Sequence, residues 1–534
     1  MHPRPLPCAR ALLFSALAIP LTTAGCFAND PPPDDIGFAA VGSIAAASGK
    51  GSFRFGASSA ATQIEDQNPN VDWFVWTSPA PEGLGKGTFI AEASMGYTMS
   101  LDDVELLAEM HLDSYRFSIE WARVEPKRGV IDEDALSHYG ALLDALKAKG
   151  IRPNVTVHHF SNPIWVDDPR DGECVAGPTD DNLCGLDHPV GGALVVEAMA
   201  AHARLLAERF GDRVDEWGTL NEPVNYLLSG YGLGSFPPGK IGFLDIPQKF
   251  IPAVRNFISA HAAMYRAIKE ADTVDADGDG MAASVGLTKE AGVFVAARAG
   301  QPSDVPADQK ARDRLLWVYQ YLFVDALREG GFDTDFDGTL DEPHPEWKDT
   351  LDWLGVQYYS RAGVTASPAL VPVIEVTPCF GGFGDGTACI PPRDPTYRVP
   401  AMDYEHDPAG LSTVLLDFGA RWPGLPLTVT ESGIATTVGA RRAECIVRAL
   451  ENIDQARKAG VDVRGYYHWS IYDNFEWALG FTPRFGLYTV DFATFARTPT
   501  LGATVLGEIA SRRTLTEADR EKYGGEGPMT PEVE

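Results

Sequence analysis

Eight short runs of β-forming residues, separated by stretches with helical periodicity, leave few folds open to this chain. The runs are Phe53–Ala57, Ser114–Ile119, Arg152–His158, Glu216–Leu220, Ala283–Leu287, Trp353–Tyr358, Leu427–Thr430 and Gly465–Ser470. Amphipathic segments lie between them, such as Glu133–Lys149, Val195–Arg209 and Arg442–Lys458. Two parallel strands need a long crossover, and a helix fills it, so this alternation predicts a parallel sheet. Eight such units predict a single (β/α)8 barrel with elaborated loops after its strands, spanning residues 53–512. A hydrophobic content of 45% supplies a core of that size.

The two ends read differently. Arg4 and Arg10 precede the apolar run Ala11–Leu21, and small residues follow up to Cys26. A basic start, a short apolar stretch and small residues form a bacterial export signal over residues 1–25. The run is too short for a good transmembrane helix. Ala24-Gly25-Cys26 resembles a lipobox, which would make Cys26 the lipidated N-terminus of an envelope lipoprotein, with Thr23 a departure from the usual aliphatic residue. Ordinary cleavage near Ala28, giving a free periplasmic or secreted protein, is the rival reading. Residues 26–52 are rich in Pro, Asp, Gly, Ala and Ser and predict a flexible tether. Residues 513–534 form a charged tail expected to lie loosely on the surface.

A net charge of −30 argues against nucleic acid, anionic membrane surfaces and polyanionic substrates as partners. Membrane contact is expected only through the N-terminal anchor. Of the seven cysteines, Cys174 and Cys184 sit close together in one turn-rich segment, and Cys379 and Cys389 repeat the spacing in another. Two local disulfides, Cys174–Cys184 and Cys379–Cys389, suit an oxidising exported compartment. Zinc is disfavoured because no further His or Cys has suitable spacing. Cys445 lies in a helical run and is expected to be a buried free thiol.

Two strand ends carry the chemistry. Thr219-Leu220-Asn221-Glu222-Pro223 and Thr428-Val429-Thr430-Glu431-Ser432-Gly433 each place a glutamate after a β-forming run. Only a closed fold brings together carboxylates so far apart in sequence. Paired carboxylates are what glycosidic bond cleavage needs, one protonated to donate to the leaving oxygen and one ionised to meet the oxocarbenium-like centre. A lone glutamate at a strand end is more often a solvated loop residue, and it is the pair in context that points to function.

That context is the order Asn221-Glu222-Pro223, then Glu431-Ser432-Gly433, then Trp469-Ser470-Ile471-Tyr472-Asp473-Asn474-Phe475-Glu476-Trp477. With these motifs the sequence resembles glycoside hydrolase family 1, the β-glucosidase and β-glycosidase family, from about Phe53 to about Thr500. The resemblance implies Glu222 as general acid/base and Glu431 as nucleophile of a retaining, two-step reaction. That route predicts carboxyl groups about 5–5.5 Å apart. Arg116 matches the arginine near the nucleophile, where a fixed cation lowers the carboxyl pKa. Tyr359 matches the tyrosine that hydrogen-bonds it. Gln63, His159, Asn221, Glu476 and Trp477 match the sugar-binding positions, and Trp469 an aromatic floor. His158 is read as structural, since only one of two adjacent strand residues faces the barrel mouth. Ser432 and Gln357 depart from the usual Asn at their positions, and Phe160 stands where Trp is common. Relatives that cleave 6-phosphosugars carry Ser and a phosphate clamp in place of the glutamate region. Glu476 and Trp477 therefore imply an unphosphorylated substrate.

Two Asp-rich loops remain. Asp275, Asp277 and Asp279 precede Gly280, and Asp333, Asp335, Asp337 and Asp341 flank Gly338. Alternating Asp before Gly offers calcium ligands, but Gly286 and His344 stand where a calcium loop carries its closing Glu. The alternatives are a structural calcium ion and solvated acidic turns; catalysis itself needs no cofactor. The resulting expectation is an exported retaining β-glycosidase, foremost a β-glucosidase. A transglycosylase using the same glutamates and a non-catalytic glycan-binding lipoprotein are the alternatives.

Overall fold

The computed structural model describes residues 34–371, 374–380 and 384–532. Eight parallel strands form its centre: β1 (Arg54–Ser58), β2 (Ser114–Ser118), β3 (Arg152–His158), β4 (Glu216–Asn221), β5 (Ser284–Arg298), β6 (Trp353–Thr365), β7 (Leu427–Ser432) and β8 (Val463–Trp469). Each pairs with the next, and β8 pairs with β1, so the sheet closes into a barrel without an open edge.

Helices surround it: α1 (Ser100–Glu109), α2 (Glu133–Ala148), α3 (Gly191–Phe210), α4 (Ile251–Ala271), α5 (Pro306–Leu316), α6 (Gly410–Arg421), α7 (Gly439–Lys458) and α8 (Leu501–Arg512). Their sequences explain their limits. Asp132 caps α2 by accepting from the N–H groups of Asp134 (3.0 Å) and Ala135 (2.9 Å), and Glu133 and Asp134 favour the positive end of the helix. Leu136, Tyr139, Leu143 and Leu146 then recur on the face turned to the barrel and are buried.

The barrel interior fills by pairing large side chains with glycine. A Cβ at Gly56 would lie 2.4 Å from the Tyr467 ring, and one at Gly286 2.6 Å from the Trp353 ring. Below these layers Arg54 of β1 is ion-paired with Glu216 of β4, both buried.

Two strands exceed their expected lengths. The sequence pattern ends the fifth run at Leu287 and the sixth at Tyr358, yet β5 and β6 continue together past the barrel rim to the pair Ala296–Val364. They pair with each other above the rim, so the ladder survives where the barrel itself ends. This ribbon forms one wall of the cleft described below.

The segments flanking the barrel are corrected by the structure. Residues 34–52 are not a flexible tether. Ile36, Phe38 and Ile44 are buried, and Ile36–Gly37 pairs antiparallel with Thr514–Leu515. The Phe38 ring lies 4.6 Å from that of Phe53 and 5.1 Å from that of Phe55. Arg464 donates to the carbonyls of Ser43 (3.1 Å) and Ala46 (2.6 Å). The charged tail is likewise fastened. Thr516 caps a further helix, α9 (Glu517–Tyr523), with Asp519 completing a capping box. Met529 is buried, and Glu532 accepts from the Thr437 N–H at 3.1 Å. Sparse apolar residues among Gly, Pro and charge hid these contacts in the sequence. The segment read as an export signal, residues 1–25, and Cys26 lie outside the described residues.

Phe38→Ala should lower the unfolding free energy by about 3 kcal/mol in a urea titration. A truly flexible segment would give no change.

Candidate active site

The C-terminal ends of the barrel strands converge on one guanidinium. Arg116, on β2 and fully buried, donates from Nη1 to Oε1 of Glu431 at 2.5 Å. From Nη2 it donates to Oδ1 of Asn221 at 2.6 Å and to the Thr288 hydroxyl at 3.0 Å. Strands β2, β4, β5 and β7 are thus tied at one point. The second oxygen of Glu431 accepts from the Tyr359 hydroxyl at 2.8 Å. Burial pushes the Glu431 carboxyl above its ordinary range, and the Arg116 charge with the Tyr359 and Arg116 hydrogen bonds pulls it back. The expected lowering by Arg116 is therefore present but does not outweigh burial.

Glu222 follows Asn221 at the end of β4, at φ 39° and ψ 62°, a left-handed conformation that non-glycine residues seldom adopt. Pro223 then opens a one-turn helix, Pro223–Tyr226. The Glu222 carboxylate accepts from Nδ2 of Asn225 at 2.9 Å. Burial first, and then the negative charges of Glu431 and Glu290, hold its pKa well above the carboxylate range. Thus Glu222 favours the protonated form, while Glu431 has a cation in contact.

Asn221 is oriented without ambiguity. Its Oδ1 accepts from Arg116, from Nε2 of Gln357 (2.7 Å) and from Thr288 (2.9 Å). Arginine can only donate, so Nδ2 is the group left for a ligand. Gln357, one of the departures from the family pattern, therefore fixes Asn221. Ser432 is buried on the strand and does not line the cleft.

The cleft above these residues encloses about 510 Å³, enough for a small sugar and part of its leaving group. Gln63, His159, Trp469, Glu476 and Trp477 all line it with Asn221, Glu222, Tyr359 and Glu431. Nε2 of Gln63 donates to the Phe475 carbonyl at 2.7 Å, while its Oε1 is buried without a partner, as is Nδ1 of His159. These orphaned polar atoms fit a ligand rich in hydroxyls. Burial and the Arg116 charge keep His159 neutral, with its pKa well below the ordinary value. His158 turns away and pairs with Oδ1 of Asn162 at 3.2 Å. Burial, and then Glu431, push Glu476 up to about 8, against hydrogen bonds from Trp469 and Gln63.

Residues that sequence reasoning missed also line the cleft, among them Glu290, Tyr319, Phe380 and Met402. The signal for Glu290 was present: Thr288-Lys289-Glu290 directly follows an apolar strand run, as Glu222 and Glu431 do. Phe380 adjoins Cys379, whose bridge to Cys389 closes its loop. The second bridge joins Cys174 and Cys184. Cys445 is a buried free thiol, its pKa pushed up to about 12 by burial.

The acidic loops differ in membership from the expectation. Asp333, Asp335 and Asp337 converge, but Asp341 turns aside to accept from the N–H (3.0 Å) and hydroxyl (2.8 Å) of Thr334. Asp275 and Asp277 are joined by Asp215 rather than Asp279, and Asp277 is ion-paired with Arg152. Loop N–H groups already meet these carboxylates, from Asp279 and Gly280 onto Asp275 and from Asp337 and Gly338 onto Asp333. Asp275 and Asp333 are thus held by their own turns, and Nε1 of Trp317 donates to Asp333 as well, at 2.7 Å.

Comparison with known proteins agrees with this geometry. The sequence model of glycosyl hydrolase family 1 matches residues 49–514. A β-galactosidase of Pyrococcus woesei is 31% identical over 85% of this chain and 94% of its own length. A β-galactosidase of Saccharolobus solfataricus is 31% identical over 87% and 96%. Beta-glucosidase 47 of Arabidopsis thaliana is 28% identical over 85% and 83%. The solved β-glycosidase of Pyrococcus horikoshii superposes with a TM-score of 0.73 at 28% identity, covering 89% of this chain and 97% of its own. Members of the family work without a cofactor. With its closed barrel, its buried carboxylate pair and a family match over most of its length, this chain belongs to glycosyl hydrolase family 1 and is a glycoside hydrolase.

Proposed function

We propose that this protein is an exported retaining β-glycosidase that prefers unphosphorylated terminal β-D-glucosides, with galactosides and fucosides as further substrates. The observation that carries the reading is the division of labour between Glu222, held protonated by burial and neighbouring charge, and Glu431, clamped by Arg116 and Tyr359. In the first step the Glu431 carboxylate attacks the anomeric carbon, the bond to the leaving oxygen breaks, and Glu222 gives that oxygen its proton. In the second, Glu222 takes a proton from water, the resulting hydroxyl bonds to the anomeric carbon, and the bond to Glu431 breaks. Asn221 Nδ2 meets the 2-hydroxyl, Gln63 and His159 hold further hydroxyls, and Trp469 supplies the floor. The Glu476 carboxyl at the far side of the sugar disfavours a phosphate there. Relatives named β-galactosidase and β-glucosidase support both sugars as substrates. Export is supported by the basic and apolar N-terminal run and by the two local cystines.

On a panel of aryl β-glycosides, Glu431→Gln should lower kcat at least about 10³-fold. Retained turnover would remove Glu431 from the chemistry, and transfer to added alcohols in place of hydrolysis would identify a transglycosylase.

The kcat/KM profile against pH should be a bell. Activity falls on the acid side as Glu431 gains a proton and on the alkaline side as Glu222 loses one. Glu222→Gln should abolish the alkaline limb of the residual activity; an unchanged limb would assign it to another group.

Fractionation of cells producing the full chain, with mass analysis of the mature N-terminus, tests export. A lipid-modified Cys26 or cleavage near Ala28 is expected, and an uncleaved cytosolic protein would contradict it.

A further inference from the structure

The cleft holds a third carboxylate that the two-step reaction does not use. Glu290 lies on β5 just above the barrel rim and is 1% exposed. Its Oε1 accepts from the N–H of Val224 at 3.3 Å and from Nζ of Lys289. Lys289 is itself fully buried and also donates to the carbonyl of Tyr319. Oε2 of Glu290 has no hydrogen-bond partner. A buried ion pair is a costly construction, and its retention beside a reacting group calls for a reason.

The reason lies in the turn it touches. Glu222 sits in a left-handed conformation at the start of the helix Pro223–Tyr226, whose opening N–H groups have no partner within the helix. Pro223 has no N–H, so Val224 supplies the first free donor of this turn, and Glu290 accepts it. Asn225, one residue further, donates to Glu222 itself. Strand β5 therefore grips the turn that its barrel neighbour β4 delivers.

We propose that Glu290, held in place by Lys289, is a positioning residue that anchors the Glu222–Val224 turn and so presents the acid/base carboxyl to the leaving oxygen. This rests on the assignment of Glu222 as acid/base. Charge acts in the same direction. The groups facing Glu222 are Glu431 from β7, Glu290 and Lys289 from β5, Tyr359 from β6, Tyr319 from the helical segment Trp317–Tyr321 and Tyr404 from the short strand Tyr404–Glu405. The negative charge of Glu290 opposes ionisation of Glu222, whereas the Lys289 cation favours it. Removing the carboxylate takes away a charge that opposes ionisation of Glu222, which then surrenders its proton at lower pH.

A leaving group that departs without a proton separates this role from general damage. The measurement is kcat/KM for 2,4-dinitrophenyl and for 4-methylphenyl β-D-glucoside, with the parent, Glu290→Gln and the double variant Lys289→Met/Glu290→Gln. For Glu290→Gln, kcat/KM on the dinitrophenyl substrate should stay within about threefold, while that on the methylphenyl substrate falls about 10- to 100-fold. The alkaline limb of the methylphenyl profile should move to lower pH. If Glu290→Gln does not fold, the double variant, which has no unbalanced cation, should show the same selective loss. An equal fall on both substrates, or an unchanged ratio with an unchanged alkaline limb, would overturn the proposal while leaving the β-glycosidase reading intact. A parent that cleaves neither substrate would overturn that reading and the proposal with it.

Discussion

Everything distinctive in this molecule depends on one buried guanidinium. Arg116 is fully buried, and three acceptors on three other strands, Glu431, Asn221 and Thr288, offset its lost hydration. Leaving such a charge without its partner costs about 3–5 kcal/mol, so the strand ends are held to the register that satisfies it. Because β2, β4, β5 and β7 are not all neighbours, only closure of the barrel brings those acceptors to one point. Fold and site are therefore linked: the geometry that neutralises Arg116 is the geometry that places Glu431, the proposed nucleophile.

From that node the two carboxyls proposed to carry the reaction, Glu431 and Glu222, diverge. Glu431 keeps a cation and a phenol in contact, whereas Glu222 stands on a left-handed turn with two negative neighbours. Burial raises both groups, and the difference comes from what each touches. The ribbon that β5 and β6 form above the rim completes the arrangement, bringing Glu290 and Tyr359 to the cleft from beyond the barrel proper.

The sequence made the barrel and most of the pocket legible, because both rest on local patterns. Apolar runs mark strands, and a polar residue straight after such a run marks the rim, as at Asn221-Glu222 and Glu431. Long-range compensation was not legible. Nothing local to Ile36 or Phe38 tells that they pair and pack with Thr514–Leu515 and Phe53, and so a Pro- and Gly-rich segment read as a tether. Nor does spacing reveal that Asp277 faces Arg152 or that Asp215 joins it. Glu290 is the intermediate case: it follows an apolar run as Glu222 and Glu431 do, but beyond Leu287 only the backbone pairing with β6, not the residue pattern, marks β5 as continuing.

The most direct test of the account is the stereochemistry of the first product, followed by proton NMR during hydrolysis of an aryl β-D-glucoside before mutarotation sets in. Double displacement through Glu431, with Glu222 passing from acid to base, predicts that the β-anomer of glucose forms first. Initial release of the α-anomer would mean a single displacement by water, and would contradict the assignment of Glu431 as a nucleophile.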